Sequence, residues 1–354
     1  MFKKRTLVFL VFAFALVLTA CGSTKENNGS SGNAVATSSA SGTGGDVGSK
    51  KPLVAYSQGD NGNSWRVTNT NDMERAAKDA GYDYVWADAK ADPSKQLSDI
   101  EDLLAKKPDV LVVSPVQEEA VAPAVKLAEN AGVKLITIDR EIAAEIGGTY
   151  VVKLVQDWKE AGRIQGRQIV EKLTEKNGAP KGNVVEIAGT VGASPAIDNA
   201  EGIREILDEY PDIKIIDSQS GNYQRAPGRQ VMDDFLQKYP KGQIDIVVTH
   251  NDEMSLGALQ AIKEAGRDEL VGYIASKDGF RDAIKEVIDG SFFVNVQASP
   301  YYGDVTMELV KRILDGETID PPTHYIDFKT FDMKDNKDLT LEYYDNQVKN
   351  DLQY

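Results

Sequence analysis

Short apolar segments alternate with longer amphipathic segments from about residue 51 to the end of the chain. The apolar segments are rich in Val, Ile and Leu without strict alternation, which is typical of strands buried on both faces of a parallel sheet. They predict strands at Leu53–Ser57, Tyr84–Ala87, Val110–Ser114, Leu135–Asp139, Thr149–Leu154, Val184–Ala188, Ile213–Ser218, Ile244–Thr249, Leu270–Ala275 and Phe292–Gln297.

Helical patterns fill the intervals between these strands. They cover about residues 65–80, 93–106, 118–131, 158–175, 196–209, 226–239, 253–265, 278–289 and 300–315. Such strict alternation predicts parallel sheets with helices on both faces. A turn rich in Gly, Pro and Lys around residues 178–182 divides the strands into two sets of about five. The predicted fold class is therefore α/β, with two doubly wound parallel-sheet lobes.

The N-terminal segment indicates export. Basic residues 3–5 precede an uncharged apolar run over residues 6–20, which ends at Cys21. This run has the form of a secretory signal and is too short for a permanent membrane span. Residues 18–21 resemble the bacterial lipobox, so we expect cleavage after residue 20 and lipidation of Cys21. An unmodified signal-sequence cysteine is the alternative.

Residues 21–50 are expected to form a tether behind the lipidated cysteine. They are mostly Gly, Ser, Thr, Asn and Ala, which cannot bury a core. A flexible tether of this length reaches about 30 Å on average. The formal charge is −15 for the 354-residue chain and becomes −18 without the three basic residues of the signal. An acidic chain lacks the basic face that nucleic-acid binding needs.

The fourth predicted strand ends in a charged pair that is a candidate ligand site. Asp139 and Arg140 follow Leu135, Ile136 and Thr137 of that strand. Open α/β sheets bind ligands at the carboxyl ends of their strands. An aspartate supplies acceptors and an arginine supplies a rigid fork of donors, which suits a polyhydroxylated molecule. A solvated turn with two charges is the alternative.

Several short segments resemble the type I periplasmic sugar-binding proteins that serve ABC transporters. The resemblance covers about residues 52–330, and the galactofuranose-binding members are the most similar. The segments that carry it are Ser64-Trp65-Arg66, Leu135–Arg140, Gly189–Ser194, Ser218-Gln219-Ser220-Gly221, and His250-Asn251-Asp252-Glu253-Met254 with Gly257-Ala258.

This resemblance implies two lobes, joined by three crossing segments, that close around a sugar. The expected crossings lie near residues 152–156, 296–299 and 327–330. The implied N-terminal lobe comprises residues 51–154 plus 298–328, and the implied C-terminal lobe comprises residues 155–297 plus 329–354.

The resemblance also implies a set of sugar-binding side chains. They are Trp65, Arg66, Asp139, Arg140, Asn199, Tyr223, Asn251 and Gln297. Trp65 would cover the C–H face of a sugar ring, and its alternative role is that of a core aromatic. Asn251 would bind a hydroxyl, because its amide both donates and accepts. Helix capping is its alternative role, but we expect Asp252 to be the cap.

Two positions depart from the family pattern. The family usually has an arginine where this chain has Asn199, and an aspartate where it has Ala275. We expect a roomier and less charged half-site on the second lobe, with Lys277 or Asp278 supplying the remaining polar contact.

Catalysis has little support in the sequence. The chain has one cysteine and two histidines, with no zinc-ligand spacing, phosphate-binding glycine loop or nucleophile elbow. We therefore expect a non-enzymatic extracytoplasmic binding protein without cofactor or metal. Its expected partners are a monosaccharide, ABC permease and ATPase subunits, and the membrane through the lipid anchor. We expect a monomer. A sugar-sensing lipoprotein that presents its closed form to a membrane receptor or histidine kinase is the alternative.

Overall fold

The computed structural model describes residues 50–354. The predicted signal peptide, Cys21 and all but the last residue of the predicted tether lie outside the described residues. Within residues 50–354, no helix combines the length and the apolar character needed to cross a bilayer.

The first sheet has six strands, and all of its neighbouring pairs are parallel. The strands are β1 (Leu53–Gln58), β2 (Asp83–Asp88), β3 (Val110–Ser114), β4 (Lys134–Ile138), β5 (Tyr150–Val155) and β11 (Thr323–Tyr325). Their spatial order is β11-β5-β4-β3-β1-β2.

The second sheet repeats this arrangement. Its strands are β6 (Gly182–Ala188), β7 (Ile213–Ser220), β8 (Ile246–Thr249), β9 (Ile274–Asp278), β10 (Phe292–Gln297) and β12 (Thr330–Phe331). They lie in the order β12-β10-β9-β8-β6-β7, so each strand has a counterpart in the first sheet. Only β12 is antiparallel to its neighbour. This topology confirms the predicted fold class.

Ten α-helices accompany these strands in the described part of the chain, and the last of them follows β12. They are α1 (Ser64–Asp79), α2 (Pro93–Ala105), α3 (Pro123–Ala131), α4 (Trp158–Asn177), α5 (Ser194–Leu207), α6 (Arg225–Lys238), α7 (Asp252–Glu264), α8 (Arg281–Ile288), α9 (Gly303–Leu314) and α10 (Lys337–Lys349).

Helices cover both faces of each sheet. In β3, Val110 and Val112 pack in the cluster that contains α1 and α9 side chains, while Leu111 and Val113 pack in the cluster with α2 and α3 side chains. The period-two alternation of side chains along a strand produces this division. Because both faces are buried, the strands are apolar throughout, as the sequence pattern indicates.

The chain passes from one sheet to the other three times. The passages lie at residues 156–157, 298–302 and 326–329, between the strands and helices of the two sheets. We call the first sheet with α1, α2, α3 and α9 the first lobe. We call the second sheet with α4–α8 and α10 the second lobe. The residue ranges assigned to the lobes from the sequence stay a prediction.

The prediction for β9 was wrong by about four residues. The apolar stretch that begins at Leu270 belongs partly to a short 3-10 turn at Asp268–Leu270. Gly272, at φ +85°, then turns the chain before the strand begins. Leu270 is fully buried, which explains its strand-like character in the sequence. The strand consequently ends at Asp278, and α8 begins after the predicted helix start.

Candidate functional site

A cleft of about 390 Å³ lies between the lobes, at the carboxyl ends of the strands. The first lobe contributes Asn63, Trp65, Arg66, Asp139 and Arg140. The second lobe contributes Trp158, Pro195, Tyr223, His250, Asn251, Lys277 and Asp278, and Ala298 lies at the second passage.

Each lobe has one acidic and one basic residue next to each other at the carboxyl end of a strand, and the two strands are equivalent. Asp139 and Arg140 directly follow β4, while Lys277 and Asp278 end β9. These strands occupy the same position in their sheets. Asp139 has φ +63° and Asp278 has φ +125°. Positive φ values are uncommon for residues other than glycine, and such strain concentrates at functional sites.

A buried ion pair fixes the first-lobe side of the cleft. Arg66 Nη2 lies 2.7 Å from Asp139 Oδ2, and both side chains are at least nine-tenths buried. Arg66 Nη1 also donates to Ser114 Oγ at 3.0 Å. Burial opposes the charge of Arg66, but Asp139 outweighs it and raises the pKa of the guanidinium. The contacts that the Asp139 carboxylate makes with Arg66, Arg140 and Ser114 are at Oδ2.

Arg140 is held by backbone carbonyls. Its Nη1 donates to Val116 O at 2.9 Å and to Pro115 O at 3.3 Å. Within residues 50–354, its buried Nε has no hydrogen-bond partner. Burial and the neighbouring charge of Arg66 lower the pKa of Arg140 to about 10, against the effect of Asp139. The guanidinium is therefore held in place by the carbonyls, while its Nε–H can still donate a hydrogen bond.

Trp65 packs in the hydrophobic core and also lines the cleft. Its Nε1 donates to Ala298 O at 2.7 Å, and its ring meets Tyr302 edge-on with centroids 6.1 Å apart. The two roles considered for Trp65 in the sequence analysis are thus compatible.

Tyr223 connects the lobes at the rim of the cleft. Its backbone carbonyl accepts from Asn63 Nδ2 of the first lobe at 3.1 Å and from Asn251 Nδ2 of the second lobe at 3.2 Å. Its phenolic oxygen is buried and has no partner among the described residues. The ring packs so closely on Gly189 that an added Cβ there would lie 2.0 Å from Cζ.

Lys277 is a buried cation without a nearby carboxylate. Its Nζ donates to Asn199 Oδ1 at 3.3 Å and lies 4.3 Å from the centroid of the Trp158 ring. In the described part of the chain, no carboxylate oxygen lies within 4.0 Å of it. Burial lowers the pKa of Lys277 to about 8, although Asp278 and Asp139 oppose the shift.

Further contacts hold the lobes together around the cleft. Ser64 Oγ donates to Glu253 Oε1 at 2.6 Å, and Gln117 Nε2 donates to Val191 O at 2.9 Å. The Glu141 backbone N–H donates to the side chain of α5 residue Ser194 at 2.9 Å. The structure thus shows the lobes in contact, with the lining side chains largely shielded from solvent.

Six of the eight sugar-binding residues expected from the sequence line this cleft. They are Trp65, Arg66, Asp139, Arg140, Tyr223 and Asn251. Asn199 lies behind Lys277 and also donates to Gln165 Oε1 at 3.0 Å. Gln297 lies at the second passage, where its Nε2 donates to Tyr343 OH at 3.2 Å. The ligand-binding roles of all eight stay predictions.

The prediction that Asp252 caps α7 was wrong. Asn251, rather than Asp252, caps the helix, because its Oδ1 accepts from Met254 N at 3.0 Å. The Asp252 carboxylate is buried and accepts from Asn295 Nδ2 at 2.7 Å and from Phe280 N at 2.8 Å. Asn251 therefore combines capping with a position in the cleft wall.

The expectation for Ala275 was also wrong. Ala275 is fully buried in the apolar cluster beneath α4 and α5, away from the lining of the cleft. Because β9 starts later than predicted, Asp278 lies at the strand end and supplies a carboxylate there. Lys277 and Asp278, which we expected to supply the remaining polar contact of this half-site, both line the cleft. Burial raises the pKa of Asp278 well above its usual range.

Sequence reasoning missed Asn63, Trp158, Pro195 and His250 as lining residues. Two of them could have been identified from their positions just after predicted strands. His250 directly follows β8, and Trp158 starts the helix after β5. Polar or aromatic residues at the carboxyl ends of parallel strands are candidates by topology alone. Within residues 50–354, no three His, Cys, Asp or Glu side chains are grouped as a metal site would require.

Comparison with known proteins identifies the family. The fold and the interlobe cleft define a two-lobed binding protein, and solved structures of that class share the architecture. The model of the periplasmic binding protein domain matches residues 54–318. The chain belongs to this family, as a type I periplasmic sugar-binding protein.

The chain is similar to characterised sugar-binding proteins along most of its length. The galactofuranose-binding protein of Escherichia coli (strain K12) is 35% identical over 252 residues, which are 70% of this chain and 77% of the relative. The ribose import binding protein of Bacillus subtilis (strain 168) is 34% identical over 259 residues, which are 73% and 80% of the two chains.

Two solved structures extend the comparison. A Mycobacterium smegmatis protein in complex with β-D-fucofuranose has a TM-score of 0.77 and 31% identity, and the match covers 84% of this chain and 96% of that one. A fructose-binding periplasmic domain of a hybrid two-component system has a TM-score of 0.74 and 26% identity, with 85% and 97% covered.

Replacing Lys277 with Met tests whether the lysine is a destabilising buried charge. Because its folded-state pKa is lowered to about 8 from 10.5, the folded protein binds fewer protons than the unfolded protein between these pH values. The free energy of unfolding of the wild type should therefore rise over this window relative to Lys277→Met, by up to about 3 kcal/mol. Urea denaturation without ligand from pH 7 to pH 10.5 measures this difference.

The exposed β7 residue Lys214 provides the matched control. Lys214→Met should follow the wild-type pH profile. Parallel profiles for the wild type and Lys277→Met would contradict the assignment.

Proposed function

We propose that the chain binds a monosaccharide, galactofuranose-like or another aldose or derivative, in the cleft between its lobes. The observation that carries this proposal is the buried hydrogen-bonding capacity there. Arg140 Nε and Tyr223 OH are buried without partners among the described residues. The Asp139 carboxylate lies in the same wall and receives its contacts at Oδ2. They supply acceptors and donors together, as hydroxyl groups require. Trp65 and Trp158 add aromatic surface from opposite lobes.

Similarity to furanose and pentose binders supports this ligand class. The relatives include a galactofuranose-binding protein and a ribose import binding protein, and one similar structure holds β-D-fucofuranose. Each of these ligands is a small neutral sugar with several adjacent hydroxyls. Charged side chains from both lobes would form charge-assisted hydrogen bonds with such hydroxyls, which are stronger than neutral ones.

Micromolar affinity is attainable for so small a ligand. A micromolar dissociation constant corresponds to about −8 kcal/mol. Spread over roughly 12 heavy atoms of a hexose, this is about 0.7 kcal/mol per atom, below the ceiling of about 1.5 for very small ligands. Dense hydrogen bonding from both lobes is needed to reach it. Since a ligand makes these contacts together only when the lobes are closed, its binding favours the closed state.

The proposed role is delivery of the sugar to an ABC importer from outside the cytoplasm. A permease and an ATPase would be the partners of the closed, monomeric protein. Lipidated Cys21 would hold it at the bacterial cell membrane, with residues 22–50 as the tether. Acyl chains anchor a protein at the membrane surface without a spanning helix. The basic segment, apolar run and cysteine at the N-terminus support this localisation.

Sugar sensing is the second candidate. The similarity to a fructose-binding periplasmic domain of a hybrid two-component system favours it specifically. In that case the closed form would be presented to a membrane receptor or histidine kinase instead of a permease. Reconstitution distinguishes the two roles. Sugar-dependent stimulation of ATP hydrolysis by a permease complex encoded beside this gene supports import, whereas sugar-dependent autophosphorylation of a neighbouring kinase supports sensing.

Truncation of Asp139 tests the ligand site. Asp139→Ala removes the carboxylate and leaves Arg66 buried without its partner, so it should weaken sugar binding by about 2–5 kcal/mol. Calorimetry with D-ribose, L-arabinose, D-galactose and D-fructose provides the measurement. Asp83→Ala, at an exposed position of the same lobe, should bind as the wild type does. Unchanged affinity in Asp139→Ala would remove Asp139 from the site.

Replacement of Cys21 tests the anchor. In bacterial cells, Cys21→Ala should abolish lipid attachment and leave the protein either uncleaved or released from the membrane. Radiolabelled palmitate incorporation and membrane fractionation report these outcomes. Cleavage at residue 20 followed by normal membrane retention of the alanine variant would contradict lipid anchoring.

A further inference from the structure

His250 carries a polar atom at the cleft that the contacts described above leave unused. Its side chain is fully buried, and the residue lines the cleft directly after β8. One ring nitrogen, Nε2, lies 3.1 Å from Glu186 Oε1. The other, Nδ1, is buried without a hydrogen-bond partner among the described residues. A buried polar atom left unpaired costs about 1–3 kcal/mol, so an unpaired nitrogen in a cleft wall requires an explanation.

Glu186 fixes the protonation pattern of the ring. Arg204 binds its carboxylate with both terminal nitrogens, at 2.6 Å and 3.0 Å, and Ser218 Oγ donates to it at 2.5 Å. Burial opposes ionisation of Glu186, but His250 and Arg204 outweigh it and hold the pKa of Glu186 below its usual range. An ionised carboxylate accepts only, so the histidine nitrogen that faces it must carry a proton.

The partner of one imidazole nitrogen determines the state of the other. Because Nε2 is engaged with Glu186, Nδ1 is the ring nitrogen left for a ligand. Three other lining side chains, Arg66, Arg140 and Lys277, are cationic donors. His250 adds to them an uncommitted polar atom from the second lobe.

We propose that His250 is a ligand-contacting residue whose Nδ1 forms a hydrogen bond with a hydroxyl of the bound sugar, with Glu186 and Arg204 as positioning residues. This inference rests on the proposed function, because it requires a hydroxylated ligand. His250 would be a second-lobe ligand contact that was not among the residues expected from the sequence. Glu186 holds His250, and the half-exposed side chain of Arg204 in turn holds Glu186.

Two substitutions separate a ligand role from a structural one. His250→Asn retains a polar atom near the position of Nδ1 but cannot reach Glu186. His250→Gln retains a polar atom near Nε2 for Glu186 but leaves Nδ1 without a substitute. If Nδ1 binds the sugar, His250→Gln should bind about 10- to 100-fold more weakly, while His250→Asn keeps most of the affinity. Calorimetry with the sugar of the panel above that binds the wild type most tightly measures this, and thermal unfolding verifies that both variants fold.

Nitrogen-15 NMR measures the chemical shifts of the imidazole nitrogens. The Nδ1 shift of His250 would not change on sugar binding if the residue had only a structural role. The chain has only two histidines, His250 and His324, so a protein without a histidine tag gives two assignable imidazoles. Saturation with the same sugar should shift the Nδ1 resonance of His250, because Nδ1 gains a hydrogen-bond partner. His324, in β11 and outside the cleft lining, is the internal control.

The outcomes are distinct. An unmoved Nδ1 resonance on saturation, or wild-type affinity in folded His250→Gln, overturns the role of His250 while sugar binding stands. A loss of affinity in both variants with an unmoved resonance assigns His250 a structural role and also overturns the proposal. If the wild type binds no sugar of the panel, the proposed function fails, and the role of His250 fails with it.

Discussion

The site depends on the ion pair between Arg66 and Asp139. Each charge alone would be costly in so buried a position, and their contact at 2.7 Å makes burial of both possible. The pair joins the start of α1 to the end of β4. It thereby fixes the positions of both side chains in the wall of the cleft.

The two lobes are electrostatically unequal. On the first lobe, Asp139 has its arginine, and Arg140 is held by carbonyls. On the second lobe, neither Lys277 nor Asp278 has an oppositely charged atom within 4.0 Å among the described residues. Burial therefore raises the pKa of Asp278 well above its usual range and lowers that of Lys277, because each charged form loses hydration without gaining an ion-pair partner. The second lobe thus disfavours its buried charges, whereas the first lobe stabilises them.

The sequence predicted the fold and the position of Asp139 and Arg140 at a strand end because both depend on local patterns, whereas Trp65 and Arg66 were implied by the family resemblance. Buried strands are apolar throughout, and Asp139 with Arg140 directly follows such a strand. The second lobe was harder, because Leu270 is buried outside any strand and so displaced the predicted start of β9. The two- and three-residue strands β12 and β11 are too short to show a period. Asn251 and Asp252 are both good caps, and only tertiary contacts with Asn295 and Phe280 assign them.

The Tyr223 carbonyl has a consequence for how the lobes separate. It accepts one hydrogen bond from each lobe, and a carbonyl oxygen remains satisfied with one. If the lobes separate, Asn63 would leave with the first lobe, while the bond from Asn251 lies within the second lobe and would be kept. The left-handed conformation of Tyr223, at φ +58°, is therefore supported by a contact that does not cross the cleft.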